Sequence, residues 1–338
     1  MMRDARSSED RQAEPRHGGA LVSATARYGL PAEGWLDLST GINPEPWPMP
    51  ALDAATFARL PDPADLATLV TAARQAYAAP ADVRILPVPG TDLALRLLPA
   101  LMPTAKVAVL SPTYSGHAEA WGEAGHGVRA VSDLSDAAGS TVVVLANPNN
   151  PDGRITTRDA LLGALAALPA NGLLVVDEAF AEVAPEVSIV PALGDPRLVV
   201  LRSFGKFYGL AGLRLGFVLG SGAILARLAG LMGDWPVSGP ALAIGRAALS
   251  DAAWRETTRL RLAARRQGLD AVLARHGLTV TGGTDLFRLV AAADAGDLHE
   301  RLARRGVWTR IFVDRPGFIR FGVPREADLP RLDAALGG

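Results

Sequence analysis

The chain of 338 residues contains no cysteine. Disulfide bonds, thiolate metal sites and cysteine nucleophiles are therefore excluded. No uncharged stretch approaches the length needed to cross a membrane, and Met1–Glu14 lacks the apolar centre of a signal peptide. We therefore expect no membrane partner, no metal site and a cytoplasmic location.

The chain also lacks an excess of either charge. It has 34 basic and 35 acidic side chains, which leaves a formal net charge of -1. Nucleic acids and anionic membranes attract proteins with a basic face, so we expect neither as a partner. A local cationic pocket for a small anion is compatible with this balance.

Apolar residues make up about half of the chain, and they form short runs from residue 85 onward. Such runs are typical of strands buried on both faces in mainly parallel sheets. Helical patterns separate them, which predicts an α/β fold with a large mainly parallel sheet. The predicted strands are Ile85–Val88, Lys106–Leu110, Thr141–Leu145, Leu173–Val176, Leu198–Arg202 and Leu215–Leu219.

The pattern changes near residue 234, where a loop rich in proline, glycine and serine begins. A long helical region follows, and then candidate strands such as Val307–Ile311 and Phe318–Gly322 alternate with helices. This pattern predicts a smaller α+β domain. The predicted division is a flexible tail (1–16), an N-terminal arm contributing to the active site (17–50), a large domain (51–235) and a small C-terminal domain (236–338).

Small and polar residues follow several of the predicted strands. Ligands of open α/β sheets bind outside the carboxyl ends of strands, so these residues form a candidate site. A turn with glycine lets backbone N–H groups approach an anion, and a helix N-terminus adds a favourable dipole. The strand-end residues include Gly90, Thr91 and Asp92; Tyr114; Asn150; and Asp177.

A lysine lies in the glycine-bounded turn after the strand Leu198–Arg202. Lys206 follows Ser203 by three residues and precedes Arg214 by eight. A free lysine titrates at about 10.4. Desolvation and a nearby cation such as Arg214 lower that value and activate the amine as a nucleophile.

This constellation resembles the cofactor site of the class I/II aminotransferase superfamily, whose members use pyridoxal 5'-phosphate. The resemblance implies the pyridoxal-phosphate-dependent transferase fold (fold type I). It also implies that Lys206 holds the cofactor as a Schiff base and later moves protons. Asp177 would pair with the ring nitrogen and Asn150 with the phenolic oxygen, while Tyr114 stacks on the ring. Ser203, Arg214 and the Gly90-Thr91 turn would bind the phosphate, with Asp92 close by.

The N-terminal run His17-Gly18-Gly19, the later Asn43-Pro44 and Phe180 are similar to the threonine-phosphate decarboxylases of cobalamin biosynthesis. Many aminotransferases carry tyrosine where this chain has Phe180. The resemblance implies that a phosphorylated amino acid is the substrate, bound through His17, Gly18, Gly19 and Asn43. Arg320 would bind its carboxylate, with Arg310 as a second cation.

Three functions are compatible with these residues. The first is decarboxylation of O-phospho-L-threonine to (R)-1-amino-2-propanol phosphate. The second is transamination of histidinol phosphate or a similar phosphorylated amine. The third is a non-catalytic ligand sensor, which the retained Lys206 and Asp177 argue against. The superfamily resemblance also implies a homodimer.

Overall fold

The computed structural model describes residues 18–337. Two compact units divide this part of the chain: residues 42–266 with 282–286 form the larger, and residues 18–41, 267–281 and 287–337 form the smaller. The sequence-based division after residue 235 differs, because these contacts place the change within a long helix, after Arg266. Among residues 18–337, no helix is long and apolar enough to span a membrane.

Strands and helices alternate through most of the described chain. The strands are β1 (Leu36–Asp37), β2 (Arg84–Val88), β3 (Lys106–Leu110), β4 (Gly127–Val131), β5 (Val142–Ala146), β6 (Leu173–Asp177), β7 (Leu198–Ser203), β8 (Gly216–Gly220), β9 (Thr279–Thr284), β10 (Phe287–Ala291), β11 (Val307–Trp308), β12 (Arg310–Ile311) and β13 (Phe318–Gly322). The helices are α1 (Leu21–Tyr28), α2 (Ala55–Ala58), α3 (Pro63–Ala76), α4 (Thr91–Leu97), α5 (Ser115–Glu123), α6 (Arg158–Ala167), α7 (Phe204–Phe207), α8 (Ala223–Met232), α9 (Gly239–Ser250), α10 (Ala252–Arg275), α11 (Ala295–Arg304) and α12 (Leu329–Gly337).

The larger unit contains a seven-stranded sheet in the order β2-β8-β7-β6-β5-β3-β4. Strand β8 is antiparallel to both of its neighbours, and the pairs from β7 across to β4 are parallel. Every residue of β5 and β6 is buried, as expected for strands covered by helices on both faces. The predicted α/β class is confirmed.

The smaller unit contains a four-stranded sheet in the order β12-β13-β10-β9. The predicted single strand Val307–Ile311 is wrong, because the segment divides between two sheets. Strand β11 pairs in parallel with β1, whereas β12 pairs antiparallel with β13. The core of this unit brings together apolar residues from its strands and helices, among them Leu269, Val290, Leu302, Ile319 and Phe321.

Candidate active site

The predicted cofactor residues of the larger unit gather at one edge of its sheet. Strands β2, β3, β5, β6 and β7 end at this edge, because all five run in the same direction. Strand β8 runs the opposite way and therefore begins there, which brings in Arg214, two residues before the strand. The residues placed at this edge are Gly90, Thr91, Asp92, Tyr114, Asn150, Asp177, Ser203, Lys206 and Arg214.

Gly90 and Arg214 are in close contact at this edge. Gly90 has a φ of +86°, and a Cβ atom there would lie 2.6 Å from Nη2 of Arg214. A Cβ on Gly216 would likewise lie 2.9 Å from the backbone nitrogen of Thr91. Glycine is thus needed at both positions, and the guanidinium lies across a backbone turn. Cationic, backbone-lined turns of this kind suit a phosphate group.

Asp177 ends β6 and interacts with a histidine that the sequence reasoning missed. Oδ2 of Asp177 lies 3.0 Å from Nε2 of His117, which is completely buried. The other carboxylate oxygen, Oδ1, accepts a hydrogen bond from the backbone nitrogen of Ala179 at 3.1 Å. The spacing in the sequence could have indicated this histidine. His117 lies in the first turn of α5, three residues after Tyr114, and residues three apart at the start of a helix lie near each other.

Hydrogen bonds also join the turns that follow β3 and β5. Thr113 donates through Oγ1 to Oδ1 of the buried Asn149 at 2.7 Å. Asn149 in turn donates through Nδ2 to the carbonyl of Pro112 and to Oδ1 of Asp152, both at 2.7 Å. These bonds fix the turn that carries Asn150 against the turn that carries Tyr114.

Tyr114 is half-buried and donates a hydrogen bond from its hydroxyl group to Oδ1 of Asp92 at 3.2 Å. Burial, followed by the negative charge of Asp92, raises the pKa of Tyr114 to about 12. The phenol therefore keeps its proton at neutral pH. Asp92 also pairs with Arg96 at 3.4 Å, and both of these side chains are exposed.

Lys206 lies in the four-residue helix α7, which follows β7 directly. Its Nζ is 5.9 Å from the ring centroid of Phe180. The carbonyl of Lys206 accepts a hydrogen bond from the backbone nitrogen of Asn43 at 2.9 Å, and the side chain of Asn43 donates to the carbonyl of Phe207 at 2.9 Å. Asn43, a predicted substrate residue, thus holds the lysine turn in place.

Four other predicted substrate residues, Gly18, Gly19, Arg310 and Arg320, belong to the smaller unit. Arg310 and Arg320 are directly opposite on β12 and β13. Arg320 is buried and donates from Nη2 to the carbonyl of Ser39 at 2.9 Å. Burial, followed by the like charge of Arg310, lowers the pKa of Arg320 to about 9. Two cations held this close favour an anion between them.

The Gly18-Gly19 segment lies against the same Ser39. The backbone nitrogen of Gly19 donates to Oγ of Ser39 at 2.7 Å, and a Cβ on Gly18 would lie 2.4 Å from its carbonyl oxygen. Asp37 fixes Ser39 by accepting from its hydroxyl at 2.6 Å. The sequence reasoning missed Asp37 and Ser39 as supports. His17 lies outside the described residues.

The family model for aminotransferase class I and II matches residues 43–336. The chain belongs to this family. This member is 43% identical over 327 residues to a threonine-phosphate decarboxylase of Pseudomonas aeruginosa, covering 95% of this chain and 97% of that protein. It is 44% identical over 326 residues to a threonine-phosphate decarboxylase of Sinorhizobium sp, with the same coverage.

A solved structure shares the fold of this aminotransferase-family chain. It is the histidinol-phosphate aminotransferase from Sinorhizobium meliloti in complex with pyridoxal-5'-phosphate, with a TM-score of 0.79 and 24% sequence identity. The match covers 98% of this chain and 96% of that one. At this identity the likeness establishes the fold, and both the predicted family and fold type I are confirmed.

Proposed function

We propose that this chain is a pyridoxal 5'-phosphate-dependent enzyme that decarboxylates O-phospho-L-threonine to (R)-1-amino-2-propanol phosphate, in cobalamin biosynthesis. The observation that carries the substrate assignment is the identity of 43% and 44%, over 95% of the chain, to two threonine-phosphate decarboxylases. The geometry at the edge of the large sheet supports the choice of cofactor.

The residues present fit this cofactor. Because Gly90 has no Cβ, the guanidinium of Arg214 lies close against this backbone turn, where a Cβ would come within 2.6 Å of Nη2. A cation beside backbone N–H groups is suited to bind a phosphate. Asp177 offers a carboxylate, Lys206 an amine and Tyr114 an aromatic ring at the same edge. When bound, pyridoxal phosphate supplies an electron sink that stabilises the carbanion left when a bond to the substrate α-carbon breaks.

Asp177 and Lys206 are the proposed catalytic groups, supported by Tyr114. Asp177, oriented by His117 at 3.0 Å, holds a proton at the ring nitrogen of the cofactor. Lys206 holds the cofactor before the substrate arrives. Its amine then returns a proton to the substrate α-carbon.

The remaining cofactor residues orient the ring. Tyr114 would stack on the ring face, with its hydroxyl group bonded to Asp92. Asn150 would donate to the phenolic oxygen. Ser203 and Arg214, together with the backbone of Gly90 and Thr91, would bind the phosphate. Each assignment rests on the placement of the residue at the strand ends.

The substrate anions are assigned to the predicted substrate residues. The paired cations Arg310 and Arg320 bind the carboxylate, since arginine forks hold oxyanions in a defined orientation. His17 and the backbone of Gly18 and Gly19 bind the substrate phosphate, while Asn43 supports the lysine turn. Such anchoring selects which bond at the α-carbon breaks.

The net reaction is balanced without a second substrate. The bond between the α-carbon and the carboxylate breaks, carbon dioxide leaves, and a proton takes its place on the α-carbon. No oxo-acid acceptor is consumed. Transamination differs in this respect, because it moves the amino group of the substrate to an oxo-acid acceptor.

A homodimer and a cytoplasmic location complete the proposal. The homodimer rests on the family resemblance. The cytoplasmic location is a prediction from the sequence. Light scattering of the purified protein tests the dimer, and a mass matching a single chain would contradict it.

The deciding assay incubates purified protein with pyridoxal phosphate and O-phospho-L-threonine and measures carbon dioxide and the amine product. We expect one carbon dioxide per amine, with no need for 2-oxoglutarate. L-threonine without phosphate is the matched control, and we expect it to react far more slowly. Turnover of histidinol phosphate that depends on 2-oxoglutarate, with no carbon dioxide from phosphothreonine, would instead identify an aminotransferase.

A further inference from the structure

A buried ionic cluster lies next to the proposed cofactor residues in the sequence. Arg202 immediately precedes Ser203, and Glu178 immediately follows Asp177. Nη1 of Arg202 donates to Oε2 of Glu178 at 2.7 Å, and the two side chains are 4% and 0% exposed. A charged pair so completely removed from water requires a physical reason, because burying it costs several kcal/mol per ion.

Glu178 is the better-bonded partner of Arg202. Its two oxygens also accept from the hydroxyl of Ser188 at 2.6 Å and from the backbone nitrogen of Ile189 at 2.7 Å. Glu182 lies 3.1 Å from Nη2 of Arg202, but neither of its oxygens has a hydrogen-bond partner among the described residues. Burial raises the pKa of Glu182. Arg202 and Glu178 are therefore the hydrogen-bonded pair of the cluster, whereas Glu182 adds a nearby negative charge.

This pair joins the ends of the two strands that carry the proposed catalytic groups. Strands β6 and β7 are neighbours, with Asp177 opposite Leu201. The backbone nitrogen of Glu178 bonds to the carbonyl of Leu201 at 2.8 Å. Beyond this point the two strands diverge, one into the Glu178 turn and the other into the Lys206 turn. The side-chain pair is the next link after the last backbone bond.

The surroundings limit how far Arg202 can shift. Its guanidinium lies 4.4 Å from the ring centroid of Tyr77. Glu182, whose side chain lies beside Arg202, is held through its backbone, because its carbonyl accepts from Nε of Arg259 at 2.7 Å. Burial lowers the pKa of Arg202, but the charges of Glu182 and Glu178 outweigh burial and the net shift is upward. The guanidinium is therefore a fixed charge.

We propose that Arg202 and Glu178 are positioning residues, which set the spacing between the Asp177 carboxylate and the Lys206 amine across the cofactor. This inference rests on the proposed function only in taking pyridoxal phosphate as the ligand. Both side chains are buried and bonded to each other. Each acts through its neighbour in the chain.

The test compares Arg202→Met and Glu178→Gln with Arg197→Met as the control. Arg197 lies just before β7, at its other end, and pairs with Asp195 at 2.7 Å. The apoproteins are titrated with pyridoxal phosphate by absorbance, and their thermal unfolding is followed separately. We expect both Arg202→Met and Glu178→Gln to weaken cofactor binding about 10- to 100-fold, the size typical of supporting residues at bound centres. Arg197→Met should stay within about twofold of the parent.

The paired variants distinguish positioning from an electrostatic influence and from a purely structural role. The cofactor carries a phosphate anion, so a purely electrostatic influence would weaken binding in Arg202→Met but strengthen it in Glu178→Gln. A purely structural role would lower the unfolding temperature of both variants and leave their cofactor affinity unchanged. Either pattern would overturn the proposal. If Arg202→Met fails to fold, Glu178→Gln decides alone, because it keeps the size of the side chain.

A second readout is the pH midpoint of the absorbance change of the bound cofactor. We expect this midpoint to move in both folded variants and to stay fixed in Arg197→Met. These measurements need no substrate. Parent protein that binds the cofactor but does not decarboxylate phosphothreonine would therefore contradict the proposed function, while this inference could still be tested. Parent protein that never binds the cofactor would overturn both.

Discussion

Lys206 and Lys106 are the only two lysines in the chain. Lys106 is the exposed first residue of β3, whereas Lys206 follows the end of β7. Since the two strands run in the same direction, the two amines lie at opposite edges of the sheet. Lys206 is therefore the one lysine at the edge where the other candidate groups gather.

Replacing Lys206 with alanine is expected to abolish the yellow colour of the cofactor-bound protein and to reduce turnover by at least about 1000-fold, because no other amine is in place to move the proton. Absorbance and the carbon dioxide assay measure the two effects. Lys106→Ala is the matched control and should keep both colour and rate. Equal activity in the two variants would rule out the proposed role of Lys206.

The role proposed for Arg310, binding the substrate carboxylate, can be tested by a single substitution. Replacing Arg310 with methionine removes one of two neighbouring cations, so we expect the KM for phosphothreonine to rise about 10- to 100-fold, the loss of a charged hydrogen bond. Arg301→Met serves as the control, because that side chain is 55% exposed on α11. Steady-state kinetics check the result, and an unchanged KM in Arg310→Met would remove Arg310 from the substrate site.

At the scale of single elements, the turn between β5 and α6 depends on one glycine. Gly153 has a φ of +71°, and a Cβ there would lie 2.0 Å from the carbonyl oxygen of Gly283. The backbone nitrogen of Gly283 also bonds to the carbonyl of Asp152 at 2.8 Å. The turn that carries Asn150 is thus packed directly against Gly283.

Gly153→Ala is expected to lower the free energy of unfolding by more than about 1 kcal/mol, because neither the backbone angle nor the space suits a side chain. Gly163 lies within α6 with open space around it. Gly163→Ala should therefore raise the free energy by about 0.5–1 kcal/mol. Urea unfolding measures both, and a stabilising Gly153→Ala would refute this account of the turn.

Helix α11 contains a buried histidine with a pH-dependent contribution to stability. Nδ1 of His299 lies 2.7 Å from Oγ1 of Thr309, and its ring is 4.6 Å from that of Trp308. Burial lowers the pKa of His299 to about 4. Between pH 6.5 and 4 the unfolded chain binds more protons at this residue than the folded chain does.

The contribution of His299 is therefore fully present above pH 6.5 and is lost as the pH falls toward 4, by up to about 3 kcal/mol. His299→Gln cannot take up this proton. Its free energy of unfolding is expected to fall less than that of the parent between pH 7.5 and 4.5. Urea unfolding at several pH values checks this, and parallel pH profiles would contradict it.

At the scale of the whole molecule, the proposed cofactor residues all belong to the unit formed mainly by residues 42–266. A ligand that binds only the folded state stabilises it, by about 2.7 kcal/mol at one hundred times its dissociation constant. Hydrogen exchange read by mass spectrometry should show cofactor-dependent protection in peptides near residues 90, 177 and 206. Protection confined to residues 287–337 would place the cofactor elsewhere.

The sequence by itself determined the fold class, the family and the strand-end positions of the candidate residues. The runs Lys106–Leu110 and Phe318–Gly322 appear as strands with the predicted bounds. For Lys106–Leu110 the reason is that a strand buried on both faces of a parallel sheet is built from continuous apolar residues. Strand β4 was not predicted, since three of its five residues are exposed. The roles of the individual site residues stay predictions.

Only the tertiary structure decided which distant groups meet. His117 and Asp177 are 60 positions apart, and Arg202 and Glu178 are 24 apart. Strand pairing also decided the reversed direction of β8, which brings Arg214 to Gly90. It likewise decided the division of residues 307–311 between two sheets. The periodicity of apolar residues indicates how each segment is buried. Strand pairing also depends on the surfaces of other segments, so a local sequence pattern cannot specify the pairing.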